Sequence, residues 1–400
     1  MTALGRPVDL GFDAICAGLP PPDRGLARAI VNAALRWLAD IDQAIDSAMA
    51  RPLPSDARAR QALRVALAQA WRLGTPPHAV VATALPLVAG GPRRLVHGVL
   101  GRLLAVPSPL GAAPALPEPW ATRWRRAHGE TSAAAIAAAL ADEPPLDLTL
   151  RDPAATALWA QRLGGRTLAP GHVRLGAYGP VETLPGFAEG AWWVQDLAAS
   201  LPARLLAPTP GEAVLDLAAA PGGKTLQLAA LGAQVTAVDV SHPRLERLRA
   251  NLARCRLDAI VIEADLLAWK PPAPVPAILL DAPCSATGIA RRHPDVLHLK
   301  ATRNPAPLLA LQAQLLARAA GWLAPGGRLV FATCSLEPEE GERQVARLLA
   351  NAPGLALDPV RPDELPAGLA PRPEGWVRTL PGDLPGGLDG FFIARLRRGA

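Results

Sequence analysis

Lysine is nearly missing from this chain of 400 residues: only Lys224, Lys270 and Lys300 stand among its 41 basic side chains. The rest are arginines. Clustered guanidinium groups suit phosphate recognition because each offers a planar fork of donors, although a GC-rich coding sequence produces the same bias without any such role. Cysteine is also scarce. Cys16, Cys255, Cys284 and Cys334 show no short paired spacing, which argues against a zinc site or a disulfide framework and for a reducing compartment. No long apolar run free of helix breakers is present. The longest uncharged stretch, Leu73 to Pro92, holds Pro76, Pro77, Pro86 and Pro92 and is poor material for a membrane span. The opening Met-Thr-Ala-Leu-Gly-Arg-Pro has no basic patch followed by an apolar core, so a signal peptide is not expected and a cytoplasmic location is. With 50% hydrophobic and 19% charged residues, global disorder is excluded, and the 44 prolines and 35 glycines follow no repeat.

What is present divides along the chain. Four hundred residues predict two or three domains. The net charge of +6 comes entirely from residues 1–130, since basic and acidic side chains balance beyond them. Apolar residues recur at helical spacing from Asp23 to Leu104, with breaks at Arg51–Pro54, Gly74–Pro77 and Gly90–Pro92, predicting a helical domain over 1–105. Residues 106–119 carry five prolines and read as a linker. Residues 120–205 read as a small α+β subdomain, and 206–400 as an α/β domain. In the latter, strand candidates Ala213–Leu217, Gln234–Asp239, Ala259–Glu263, Ala277–Asp281 and Gly327–Thr333 alternate with helix candidates, and Phe391–Leu396 adds a strand. Such alternation argues for a doubly wound, mostly parallel sheet covered on both faces.

Ligands of such sheets bind outside the carboxyl ends of the strands. The first strand ends in Asp216-Leu-Ala-Ala-Ala-Pro-Gly-Gly-Lys-Thr225, small residues that admit close backbone approach, in a spacing that is neither the dinucleotide fingerprint nor a P-loop. The second ends at Asp239, placed to accept from ribose hydroxyls, and the third is followed by Asp265, placed to meet an adenine amino group. The fourth runs into Asp281-Ala-Pro-Cys-Ser285 and the fifth into Thr333-Cys-Ser335, so two cysteines land at the ends of neighbouring strands. Cys16 and Cys255 read as small buried hydrophobes.

The run Ala218–Thr225, the Asp281–Ser285 loop followed by Arg291-Arg-His-Pro-Asp295, and Thr333–Ser335 followed by Glu337-Pro-Glu-Glu340 resemble the Sun-type RNA cytosine-5 methyltransferases, and Asp23–Arg102 resembles a NusB-like RNA-binding helical domain. The chain departs from the family's common pattern at Ala218, where a third cysteine is usual, and at Leu146–Asp152, where Leu-Arg-Val-Asn is the commoner form. The resemblance implies a class I S-adenosylmethionine-dependent methyltransferase domain preceded by an all-α NusB-like bundle. It implies a cofactor held by Ala218, Ala219, Ala220, Pro221, Gly222, Gly223, Lys224, Asp239, Asp265 and Asp281. Cytosine carbon 5 is a poor nucleophile, and a thiolate adding to carbon 6 gives it electron density. Spacing does not decide which cysteine attacks; the resemblance assigns Cys334 as nucleophile and Cys284 to product release, with Asp281 on the cytosine edge and Lys224 orienting it. Arg291, Arg292 and His293 are candidates for phosphate contacts. The expected partner is RNA, 16S ribosomal RNA first, bound by a monomer away from membranes. The alternatives are the same chemistry on transfer RNA or DNA, and a non-catalytic RNA-binding or antitermination protein.

Overall fold

A computed structural model describes residues 7–176 and 178–400, so residues 1–6, on which most of the N-terminal reading rests, lie outside the described residues. The chain divides into two units. One, Met1–Glu143 with Ala290–Arg303, is helical. It contains α1 (Asp9–Ile15), α2 (Pro21–Arg36), α3 (Leu38–Ser47), α4 (Arg58–Arg72), α5 (Pro77–Ala84), α6 (Gly90–Leu103), α7 (Trp120–His128) and α8 (Glu130–Ala139). Prolines open α2 and α5, where an N–H would have no partner in the helix. The apolar stripes converge on Trp37, Ile41, Leu63, Leu67, Val80, Val96 and Leu100, all buried.

The helical unit does not stop at residue 105. Trp37 Nε1 donates to Ala141 O at 3.2 Å, and Arg36 Nη1 donates to Leu140 O at 3.4 Å, which ties the end of α8 to α2. The proline-rich stretch 106–119 is not a free tether either, because Ala115 N donates to Asp40 Oδ2 at 3.0 Å and Leu110 packs on the helical core. Residues 290–303 return to this unit: Val8 N donates to Asp295 Oδ2 at 2.9 Å and Trp120 Nε1 to Leu297 O at 2.7 Å.

The other unit is Pro144–Ile289 with Asn304–Ala400. It opens with β1 (Leu146–Leu150), α9 (Thr156–Arg162), β2 (Arg166–Ala169), β3 (His172–Leu175) and β4 (Trp192–Val194), whose strands form an antiparallel sheet in the order β2-β3-β1-β4. Asp147 on β1 is fully buried, and burial alone would raise its carboxyl. Arg174 outweighs that by donating through Nε at 2.6 Å and Nη2 at 2.8 Å, and the carboxyl sits well below the usual range.

Then follow α10 (Leu197–Leu206), β5 (Ala213–Leu217), α11 (Gly223–Ala230), β6 (Gln234–Asp239), α12 (His242–Cys255), β7 (Ile260–Glu263) and β8 (Val275–Asp281). After α13 (Asp295–Lys300), which belongs to the helical unit, come α14 (Ala306–Gly321), β9 (Leu323–Thr333), α15 (Glu342–Asn351), β10 (Leu355–Leu357), β11 (Val377–Thr379) and β12 (Phe391–Arg398). The large sheet runs β10-β12-β9-β8-β5-β6-β7, with β11 beside β12. From β9 to β7 all neighbours are parallel, and β12 is antiparallel to β9. Alternate residues feed opposite cores. Leu215, Leu217, Ile278, Leu280 and Phe331 pack with Leu315 and Leu316 of α14, while Val214, Leu279 and Val330 pack with Leu201 and Leu205 of α10. Both faces are buried, so the strands read as continuous apolar runs. From β5 the chain winds outward through β6 and β7, then returns to β8 on the other side of β5, and a crevice opens where the order reverses.

Candidate active site

The crevice is built by the loops after β5, β6, β7, β8 and β9. After β5 the backbone turns through Ala218 at φ 56 and Gly222 at φ 106, with a cis bond between Ala220 and Pro221. A Cβ at Gly222 would meet Leu248 Cγ at 2.8 Å, so this turn requires glycine for space as well as for its left-handed backbone. The turn is locked onto the next strand. Asp239, at the end of β6, accepts from Ala220 N at 3.0 Å through Oδ2 and from Ser241 N at 2.8 Å through Oδ1. Arg244, which the sequence did not single out, donates to Ala220 O across this carboxylate. Asp265 is exposed and caps its own turn, accepting from Leu267 N at 2.9 Å.

Two further groups sit beneath the turn. Lys224 Nζ donates to Asp281 Oδ2 at 2.6 Å, joining the start of α11 to the end of β8. Burial disfavours the ammonium, but Asp281 and the neighbouring Cys334 outweigh it and the Lys224 pKa is raised. Asp216, fully buried, accepts from Thr225 Oγ1 at 2.6 Å through Oδ2, while Oδ1 has no partner. Burial, against the pull of Thr225 and Lys224, pushes its carboxyl up to about 7. A carboxyl raised from about 4 in the unfolded chain holds a proton in the fold that the unfolded chain has released, so its stabilising contribution, full below about pH 4, is lost as pH rises to about 7. Asn at position 216 removes that slope. The stability of Asp216→Asn relative to the parent therefore rises between pH 5 and pH 8, as thermal unfolding at the two pH values measures; parallel curves would rule it out.

The two cysteine loops meet. Cys284 Sγ and Cys334 Sγ are 3.4 Å apart and both residues are partly exposed, whereas Cys16 and Cys255 are buried. Hydrogen bonding to Cys334, with burial and the charges of Glu340 and Asp281, pushes the Cys284 thiol well above its ordinary pKa. Cys284 therefore keeps its proton, and the geometry lets it donate to the Cys334 sulfur. The loops are stitched together by Gly288 N donating to Cys334 O at 3.0 Å and Leu336 N to Thr287 Oγ1 at 2.9 Å. The sequence signalled this pair only through flanking Pro283, Ser285 and Ser335. The carboxylate that lies behind it, Glu340, went unassigned.

Arg291 corrects the sequence-based expectation. It is 1% exposed inside the helical unit, so its guanidinium is not presented to a phosphate; Arg292 and His293 are half-buried in the same unit.

Comparison with known proteins bears on this geometry. The family described as 16S rRNA methyltransferase RsmB/F matches residues 203–397, and the NusB family matches 11–104. Ribosomal RNA small subunit methyltransferase B of Klebsiella pneumoniae subsp. pneumoniae is 36% identical over 94% of this chain and 90% of its own length. The protein of the same name from Xylella fastidiosa is 38% identical over 94% of this chain and 89% of its own length. A solved structure, a methyltransferase homolog protein from Pyrococcus horikoshii, superposes with a TM-score of 0.57 at 30% identity, covering 69% of this chain and 93% of that one. The crevice fits a methyl donor with a nucleoside and an amino-acid end: a close backbone turn at Gly222, carboxylates on successive strand ends at Asp239 and Asp265, and the orphaned Asp216 Oδ1 below. The chain therefore belongs to the 16S rRNA methyltransferase RsmB/F family, with an N-terminal NusB domain and S-adenosylmethionine as its cofactor.

Proposed function

We propose that this protein methylates carbon 5 of a cytidine in 16S ribosomal RNA through a transient bond between Cys334 Sγ and carbon 6 of the ring. The observation that carries this reading is the thiol pair, two sulfurs 3.4 Å apart at the ends of β8 and β9 with Lys224 and Asp281 beside them. S-adenosylmethionine supplies an electrophilic methyl group. Ala218–Lys224, Asp239, Asp265 and Asp281 would hold it, Asp239 being fixed in place by the two backbone N–H groups it accepts from.

The Cys334 thiolate adds to carbon 6, and the ring's electron pair moves to carbon 5. Lys224, whose charge faces Cys334 and Asp281, orients the Asp281 carboxyl toward the base edge. Asp281, held by Lys224, accepts from the exocyclic amine at the base edge and so fixes the ring beside the Cys334 sulfur. Once carbon 5 is methylated, a base takes its remaining proton, the double bond re-forms, and the carbon–sulfur bond breaks with its electron pair returning to sulfur. Cys284, held as a neutral thiol against Cys334, assists that release. Carbon 6 is shielded by stacking in a helix, so the target nucleotide is single-stranded or flipped. Phosphate contacts come from Arg292 and His293, joined by the exposed arginines Arg93, Arg94 and Arg102 of α6.

Bisulfite mapping tests the function. Ribosomal RNA from a strain lacking this protein loses 5-methylation at a cytidine of the 16S molecule, and reintroducing the gene restores it. An unchanged methylation pattern would reject the assignment, and a loss confined to transfer RNA would redirect it.

A further inference from the structure

We infer that Glu340 is the positioning residue that clamps the two cysteine loops together and so holds the two thiols in contact. The inference deepens the cysteine-adduct reading and rests on it for its functional consequence, although the clamp itself is a matter of geometry. Glu340 is 3% exposed, an unusual fate for a carboxylate, and both of its oxygens are used. Oε2 accepts from Ser285 N at 2.7 Å, the amide next to Cys284. Oε1 accepts from Ser335 Oγ at 3.1 Å, the hydroxyl next to Cys334. One side chain thus reaches the neighbours of both sulfurs. The two serine hydroxyls lie 3.0 Å from each other and close the ring of contacts.

The clamp is supported from α14. Gln312 Nε2 donates to Glu340 Oε2 at 2.9 Å and to Pro283 O at 2.9 Å, so it fixes the carboxylate and the residue before Cys284 at once. Gln344 Nε2 donates to Gln312 Oε1 at 3.2 Å and sets the orientation of that amide. A buried carboxylate that accepts three hydrogen bonds from two different loops and a helix is costly to remove, because its donors are then left unpaired. The nearby charge of Glu340 also helps to keep Cys284 protonated.

The distinction between charge and geometry can be drawn with two substitutions. In Glu340→Gln the amide oxygen can face Ser285 N and Gln312, and the amide NH₂ can donate to Ser335 Oγ, whose hydroxyl turns round; the contacts persist without the charge. In Glu340→Ala they are gone. The closing experiment measures how fast Cys284 and Cys334 form a disulfide with oxidised glutathione, a reaction independent of methyl transfer. One thiolate attacks the glutathione disulfide and releases a reduced glutathione, and the second thiol loses its proton and displaces the other. E340A is expected to close at least about tenfold more slowly than the parent and to lose about 10²-fold in kcat with KM for the methyl donor unchanged, whereas E340Q recovers most of both. Closure in E340A within about threefold of the parent would overturn the clamp. Should E340A fail to bind S-adenosylmethionine, Ser335→Ala carries the test, with slowed closure expected and parental closure overturning the proposal. Slowed closure in a protein that forms no RNA adduct would sink the adduct reading and leave the clamp standing.

Discussion

Cys334→Ala is expected to abolish methyl transfer and to leave the fold and donor binding intact. In the proposed reaction the sulfur is the only atom of this side chain that is used, and direct attack by cytosine carbon 5 on a methyl group has no electron pair ready to drive it. Cys334 lies just after β9, anchored by its carbonyl on Gly288 N and by Ser335 on Glu340, so truncation at Cβ removes the contact with the Cys284 sulfur and leaves these anchoring bonds in place. Losses in kcat of about 10⁴-fold or more are the ordinary consequence of removing a covalent nucleophile. The check is a labelled-methyl assay on ribosomal RNA beside a titration of S-adenosylmethionine binding. Ordinary turnover in the variant would mean that another group attacks.

Gly288→Ala damages the same site by sterics alone. A Cβ built there stands 1.9 Å from Gly390 O and 2.7 Å from Gly390 C, both backbone atoms that no side-chain rotation can clear. Gly288 O also accepts from Gly390 N at 2.8 Å, so the loop after β8 and the start of β12 run in contact. The methyl group must drive these two segments apart, and with them the Gly288 N contact to Cys334 O. A destabilisation on the order of 3 kcal/mol is expected. Chemical denaturation reads that loss, and turnover at a temperature where the variant is still folded falls with it because the two thiols separate. A variant with parental stability would show that the two backbones can move apart freely.

Much of the large sheet was legible because its pattern is repetitive. The strands ending at Leu217, Asp239, Glu263, Asp281 and Thr333 are apolar runs bounded by turns, and β5 and β6 begin and end where the sequence places them. Burial on both faces makes such runs continuous, and the signal survives without any alternation. The limits of the helical unit were not legible in this way. Nothing in the composition of 106–119 shows that Asp40 will bind Ala115, or that Trp37 and Arg36 will draw the end of α8 back to α2. Contacts between residues about a hundred positions apart leave no local periodicity. The return of 290–303 to the helical unit is hidden for the same reason, and it removes Arg291 from the surface that a basic cluster in sequence suggests.

The candidate site divides similarly. Residues in short motifs at strand ends, from Ala218 to Lys224 and around Cys284 and Cys334, could be named from their types and order. Arg244, Asp216 and Glu340 could not be given roles, because each works through a partner elsewhere in the chain: Ala220, Thr225, and the serines beside both cysteines. A carboxylate among four glutamates in the six residues 337–342 looks like solvated charge until its burial is known.

The account stands or falls on a sulfur–carbon bond to the target ring. Cys284→Ala retains Cys334 and removes the thiol proposed to assist release, so incubation with 16S ribosomal RNA and S-adenosylmethionine is expected to accumulate a protein–RNA species stable to denaturing electrophoresis. Digestion and mass spectrometry of that species should find one methylated cytidine attached to the peptide that contains Cys334. Methylated RNA with no attached nucleotide at any time point, or a nucleotide attached to a residue other than Cys334, would contradict it.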